Sequence, residues 1–336
     1  MGLRIAGRYL SSTGESAATY LRFLSKMPFK RLGSGEHQDE NAALLLRRSV
    51  EQVSADAVQV LRLVGVLAFA SIDLEPVMAV SCQDGEDPNE AELRSCDALN
   101  QLVTYGLLEK EKERWKVSHA LIHTYARKEL ALDKEALQRL AAYYIEWCEA
   151  QSAAGKEGYI RLDSERAHCL RLIKTCLNSE LWEELRLLVG AIYIYLDRQG
   201  YWAEQMVVLE VILTAARQSG EYRDQGVCLN NLGLTCWRRG EHEKGLAWFK
   251  QSLPIWYELG DKQREGITLN NIALIYKKQG KYEQALQQYE QSLSIKREVG
   301  DRQGEGVSLN NIGMVYNTQG DYETALQYYA QALPIL

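Results

Sequence analysis

"ITLNNIALIYKKQGKYEQALQQYEQSL", Ile267 to Leu293, carries apolar residues at helical spacing on both sides of a break. Leu269, Ile272, Ala273 and Tyr276 recur at intervals of three and four, QGKY interrupts them, and Ala285, Leu286, Tyr289 and Leu293 resume the pattern. That predicts helix, tight turn, helix. The unit returns forty residues later as VSLNNIGMVYNTQGDYETALQYYAQAL, 307–333, and stands forty residues earlier as LNNLGLTCWRRGEHEKGLAWFKQSL, 229–253. A fixed period of this length implies a stacked array in which each unit buries its apolar face only against its neighbours. Small residues at Gly233, Ala273 and Gly313 let the paired helices approach, and Gly240, Gly280 and Gly320 stand where the first helix must end in a left-handed cap.

The pattern resembles the tetratricopeptide repeat in its lengthened form, with Tyr276, Gly280, Tyr282, Ala285 and Tyr289 at the characteristic places. The likeness runs across 227–336. Its first unit departs from the family pattern at Cys236, His242 and Gly245. A fainter copy precedes it, with Gly200 leading Gly240 by one period, so the array is expected over 185–336 as a right-handed α-solenoid with a degenerate first repeat and a truncated last one. Leu333, Ile335 and Leu336 are expected to face solvent there. A continuing chain, or self-association through this uncapped repeat, would then cover them.

By the same resemblance, Ile267, Asn270, Leu274, Lys277 and Lys278 face the concave side of the superhelix. Asn230, Asn270 and Asn310 would form a ladder of carboxamides, able to pair with the backbone of an extended peptide. The second asparagines, Asn231, Asn271 and Asn311, are assigned to the scaffold; the alternative is that all six only tie neighbouring units together. Three hydrogen bonds at about 1 kcal/mol each fall short of the roughly 8 kcal/mol of micromolar affinity. Leu234, Leu274, Met314, Trp237 and Asn317, with the charges Arg238, Lys277 and Lys278, must supply the rest. That basic end favours an acidic protein or peptide partner.

The 336 residues point to two or three units. With 39 Lys and Arg against 45 Asp and Glu, the net charge of −6 offers no general attraction for nucleic acid or anionic lipid. The seven cysteines are odd in number and never spaced as CxxC, which reads as reduced, packed thiols of a cytoplasmic protein. No apolar run approaches the ~18 residues needed to span a bilayer, and MGLRIAGRYL lacks a signal peptide's cleavage region.

Residues 51–130 read differently. Ser54 caps a helical pattern over VSADAVQVLRLVGVLAF, a short helix follows near Leu74 to Val80, a third covers 89–104, and GLLEKEKERWKVSH reads as a hairpin. Three helices and a hairpin make a winged helix. A DNA-binding regulator with a repeat sensor is therefore the alternative function. The third helix, however, offers only Arg94 beside Glu92 and Asp97, where phosphate contacts need several cations.

The arrangement instead resembles the winged-helix domain of STAND signal-transduction ATPases, the class containing NB-ARC proteins. Ser118 to Ala126 occupy the stretch in which that family closes its hairpin with a histidine, here His119, although Ala120 replaces the usual Asp. LRIAGRYL at 3–10 looks like part of that family's small helical domain, expected over 1–50, and 131–184 looks like its helical connector. What the resemblance implies is a signalling switch in which His119 touches ADP held by a nucleotide domain. No GxxxxGK[ST] occurs in this sequence, so no cofactor is expected unless ADP or ATP comes with an NTPase domain supplied from elsewhere. Binding rather than catalysis is the expectation, since GxSxG and a recognisable nucleophile or acidic dyad are lacking. His119 and His123 have an i, i+4 spacing, yet without a HExxH base or a third ligand no metal is expected.

Overall fold

The computed structural model describes residues 46–82 and 85–335. Of the expected small helical domain over 1–50, only a helical stretch at 46–50 falls among them; LRIAGRYL lies outside the described residues. The chain is mainly helical and divides into two compact units, one ending at Tyr195 and one beginning at Leu196.

In the first unit, Ser54 starts α1 (Ala55–Val66): its hydroxyl accepts from the Ala57 amide at 3.2 Å, the cap its position implies. α2 (Leu74–Ser81) is short. α3 (Pro88–Thr104) opens on Asp87 and Pro88; the carboxylate takes the Asn89 N–H, and proline gives up a donor that would have had no partner. β1 (Leu108–Glu111) and β2 (Arg114–Val117) pair antiparallel, Leu108 opposite Val117. Ile72 exchanges both backbone bonds with Trp115, at 2.7 and 3.0 Å, and so fixes the chain ahead of α2 against β2. α4 (Ala120–Glu129) follows the hairpin. Leu61, Leu63, Val77, Leu99, Leu102, Leu107 and Ile122 are almost wholly inaccessible.

α5 (Lys134–Ala153) packs on both α2 and α6 (Lys156–Asn178). The junction is polar as well as apolar. Glu165 of α6, buried, accepts from the Tyr144 hydroxyl at 2.9 Å and from Arg114, which also donates to the Ser71 carbonyl and pairs with Asp73. His168 spans the same loop: its Nδ1 accepts from the Ala68 amide at 3.1 Å and its Nε2 donates to the Ser71 carbonyl at 3.0 Å. A buried carboxylate persists only when partnered in this way.

The second unit begins within α7 (Trp182–Arg198) and continues through α8 (Trp202–Ser219), α9 (Tyr222–Arg238), α10 (His242–Leu259), α11 (Lys262–Lys278), α12 (Tyr282–Glu298), α13 (Arg302–Gln319) and α14 (Tyr322–Ala332). Gly200, Gly220, Gly240, Gly260, Gly280, Gly300 and Gly320 all sit at φ between 66° and 84°. A left-handed residue therefore closes a helix at every twentieth position, where a side chain would be strained. α9 pairs with α10, α11 with α12 and α13 with α14; α10 then packs on α11 and α12 on α13. The first pair closes on Gly233, where an added Cβ would lie 2.5 Å from the Phe249 ring, and the third on Gly313, 2.7 Å from Tyr329. Buried serines tie the pairs: Ser252 donates to the Gly226 carbonyl at 3.1 Å and Ser292 to that of Gly266 at 2.7 Å.

The carboxyl-terminal expectation needs one correction. Leu333 is 80% exposed, as expected, but Ile335 is partly buried against the cluster that includes Ala332, Leu309 and Ile312, because a helical turn carries on past α14 with the Ile335 amide donating to the Ala332 carbonyl at 3.0 Å. Leu336 lies outside the described residues.

Candidate functional site

α9, α11 and α13, the first helices of the three pairs, pack on one another in series. Positions at i, i+3, i+7 and i+10 share one face of a helix, and the three helices carry these four rows in parallel. Val227, Ile267 and Val307 form the first row; Asn230, Asn270 and Asn310 the second; Leu234, Leu274 and Met314 the third; Trp237, Lys277 and Asn317 the fourth. Ile267, Val307 and Met314 are 40%, 38% and 41% exposed. An asparagine row flanked by two apolar rows is the result. Of these, Val227 and Val307 escaped the sequence reading, although an apolar residue three places before each asparagine was there to be read.

The asparagines do two things at once. Nδ2 of Asn271 donates to Oδ1 of Asn230 at 3.2 Å, and Nδ2 of Asn311 donates to Oδ1 of Asn270 at 3.0 Å. The scaffold role assigned to the second asparagines thus draws in the carbonyls of the first ones, across the junction between repeats. Asn230 and Asn270 keep their Nδ2 groups without a hydrogen bond among the described residues, and all six side chains are half-buried. Nδ2 of Asn310 approaches the Met314 sulfur at 3.7 Å.

The charged end is less open than the sequence suggested. Arg238 is engaged by Asp197. Leu234 and Trp237 pack against the buried cluster of Phe249, Ile272 and Ile275, so part of this row serves the junction between repeats. Lys277 is half-buried, and burial, with Lys278 adding, pushes its pKa below the ordinary lysine value. Lys278 and Asn317 are exposed.

In the first unit, His119 does not lie on the helix with His123. It caps α4, exposed, with Nδ1 accepting from the Leu121 amide at 3.2 Å. His123 is buried, its Nε2 donates to the Leu67 carbonyl at 3.0 Å, and burial pushes its pKa down. The i, i+4 spacing therefore brings no two ring nitrogens to one face, and no group of three potential ligands for a metal ion occurs among the described residues. Arg94 is bound by Glu86 and by Asp56, at 2.6 and 2.8 Å, and donates to the Ser81 carbonyl. Its partners come from neighbouring elements rather than from Glu92 or Asp97 on its own helix. No helix among the described residues is long and apolar enough to cross a membrane.

The tetratricopeptide repeat family model matches residues 224–298 and again 264–336. Among solved structures, the chain is 16% identical to a signal transduction ATPase with numerous domains (STAND) protein with a tetratricopeptide repeat sensor from Pyrococcus horikoshii, over 87% of this chain and 52% of that one, with a TM-score of 0.41. It is 13% identical to a putative kinesin light chain with nearly identical TPR-like repeats from Podosopora anserina, over 60% of this chain and 97% of that one, TM-score 0.46. A Rap protein complexed with competence and sporulation factor is 17% identical over 64% of this chain and 69% of its own, TM-score 0.39. This chain thus spans about half the length of the STAND protein. No curated protein sequence matches it. Residues 224–336 carry tetratricopeptide repeats, units that serve contacts between proteins.

Proposed function

We propose that the face of α9, α11 and α13 binds an extended peptide or a peptide-like segment of a protein partner. The observation that carries this reading is the row of half-buried asparagines with Nδ2 donors to spare, bordered by partly exposed Ile267, Val307 and Met314. Carboxamide donors suit peptide carbonyls whatever the side chains. The apolar rows add burial at about 25 cal/mol per Å², which a row of hydrogen bonds alone does not supply. Lys277 and Lys278 favour acidic side chains at one end, while Arg238 is already committed to Asp197.

Selection of displayed peptides against the full chain tests this, followed by titration of a selected peptide into the double variant Ile267→Glu, Val307→Glu. Both positions are exposed, so the variant keeps its helicity and melting temperature while losing at least tenfold in affinity. Peptides that bind the variant as well as the parent would reject the face.

The wider reading is a STAND-type switch in the cytoplasm: a winged helix over 51–130, a connector over 131–184 and a repeat array from 185, with the degenerate unit ahead of the matched family region. Three helices, an antiparallel hairpin and a histidine capping the helix after it support the winged helix. His119 would contact the diphosphate of ADP held by an NTPase domain. A DNA-binding role gains nothing from the third helix, whose arginine is held by two carboxylates. Calorimetry with ADP on this chain alone is expected to give no heat, and binding there would move the nucleotide site into the chain itself.

A further inference from the structure

Within the first unit, the hairpin, the start of α2 and the helices α5 and α6 surround a cavity of about 690 Å³, in the range of small-molecule sites. Three aromatic rings line it: Trp115 of β2 and Tyr143 and Trp147 of α5. Asp73, Glu75, Glu113 and Glu165 bring four carboxylates to the same walls. Trp115 is only 5% exposed, and its indole N–H has no hydrogen-bond partner among the described residues.

Carboxylates outnumber cations there. One guanidinium, Arg114, serves both Asp73 and Glu165, and Lys110 and Arg161 stand on the walls with Glu75 and Glu113, four carboxylates against three cations. Burial raises the Asp73 pKa; Arg114 opposes the rise, while Glu165 and Glu75 add to it. Tyr143 is shifted upward by burial and then by Glu75, Glu165 and Asp73, which places its hydroxyl in the same negative field. The ammonium of Lys110, an exposed residue, already stands 4.9 Å from the centre of the Trp115 ring, so a cation is accepted on that wall. Indole and phenol faces attract cations most when the site is shielded from water, and the carboxylates supply the counter-charge.

We propose that this cavity binds a small organic cation of the quaternary-ammonium class, its methyl groups against Trp115, Tyr143 and Trp147 and its charge balanced by Asp73, Glu75 and Glu165. Lys110 and Arg161 also line the cavity; both are exposed side chains on long stems, and Lys110 competes with the ligand for the Trp115 face. The site is independent of the repeat face, and neither reading depends on the other.

Calorimetry on the full chain with choline chloride, at ionic strength fixed by sodium chloride, tests the proposal; the neutral isostere 3,3-dimethylbutan-1-ol is the control. Choline is expected to bind saturably and the alcohol at least tenfold more weakly. Trp147→Ala should weaken choline tenfold or more, Glu75→Gln, an exposed position that leaves folding intact, threefold or more, and Lys110→Met should tighten it. A trimethyllysine peptide run in parallel separates a free ligand from a modified side chain, since both present the same group. Absence of saturable heat with either probe, equal binding of the alcohol, or unchanged binding by folded Glu75→Gln and Trp147→Ala would overturn it.

Discussion

From Gly220 to Gly320 the chain makes the same contacts over and over, whereas the contacts that Ile72, Arg114 and His168 make with residues far away in sequence are not repeated among the described residues of the first unit. In the repeats a serine finds a glycine carbonyl, an asparagine finds an asparagine one period away, and a small residue admits an aromatic ring. Stability there is close to a sum over nearest neighbours. In the first unit it depends on one buried polar network joining β2, the chain before α2, α5 and α6. Damage should therefore remain local in one half and spread in the other.

The largest effect follows from Arg114→Ala. Glu165 would be left buried with the Tyr144 hydroxyl alone, an unpaired charge whose cost is about 3–5 kcal/mol. Urea unfolding followed by hydrogen exchange should show protection lost across α2, α5 and α6 together and kept in α11 and α12. Uniform loss along the chain would contradict the contrast.

Gly233→Leu comes next, since its side chain meets the Phe249 ring where even a Cβ comes within 2.5 Å. Overpacking of this kind costs about 1–3 kcal/mol. Exchange should rise in α9 and α10 and little in α13 and α14. The middle pair supplies a comparison, because Ala273 occupies the equivalent place beside Tyr289 and both are fully buried. Gly233→Ala is accordingly expected to cost much less than Gly233→Leu.

A pH effect belongs to the first unit. His123 is held neutral by burial, so its folded pKa lies below the 6.5 of a free histidine. Unfolded chains then bind a proton that the folded chain refuses. The stabilisation is fully present above about pH 6.5 and is lost as pH falls below it toward the depressed folded value, by up to ~1 kcal/mol over the first unit of pH. Urea midpoints measured at pH 7.5 and 5.5 should separate for the parent and converge for His123→Phe. The smallest effect concerns the asparagines. Asn271→Ala removes the donor to Asn230 and should cost about 1 kcal/mol, while Asn231→Ala, whose side chain makes no hydrogen bond among the described residues, should cost less than half of that by thermal melting.

The same contrast governs what could be read in advance. The forty-residue period exposes every helix of the matched repeats, because each turn demands glycine and each core position demands an apolar residue. It also points to the face with Asn230, Asn270 and Asn310. What it hides is the exchange of hydrogen bonds between the first asparagine of one repeat and the second of the next, since a pair of identical residues does not say which bonds which. Ser54 was legible as a cap because capping is local chemistry. Arg114, Glu165 and His168 were not, because nothing in their immediate neighbours marks residues that meet across fifty or a hundred positions. The aromatic cavity shares that origin: Trp115 and Trp147 come from different elements, and only the fold brings their rings together.

The glycine at each twentieth residue has a consequence for how such an array changes length. A segment cut from Gly240 to Gly280 begins and ends in the same backbone conformation, so duplication or loss of one forty-residue module rejoins matching ends and calls for no new kind of junction. The length of the asparagine-bearing face can thus grow or shrink by whole modules, whereas an insertion of any other length would rotate every row that follows out of line.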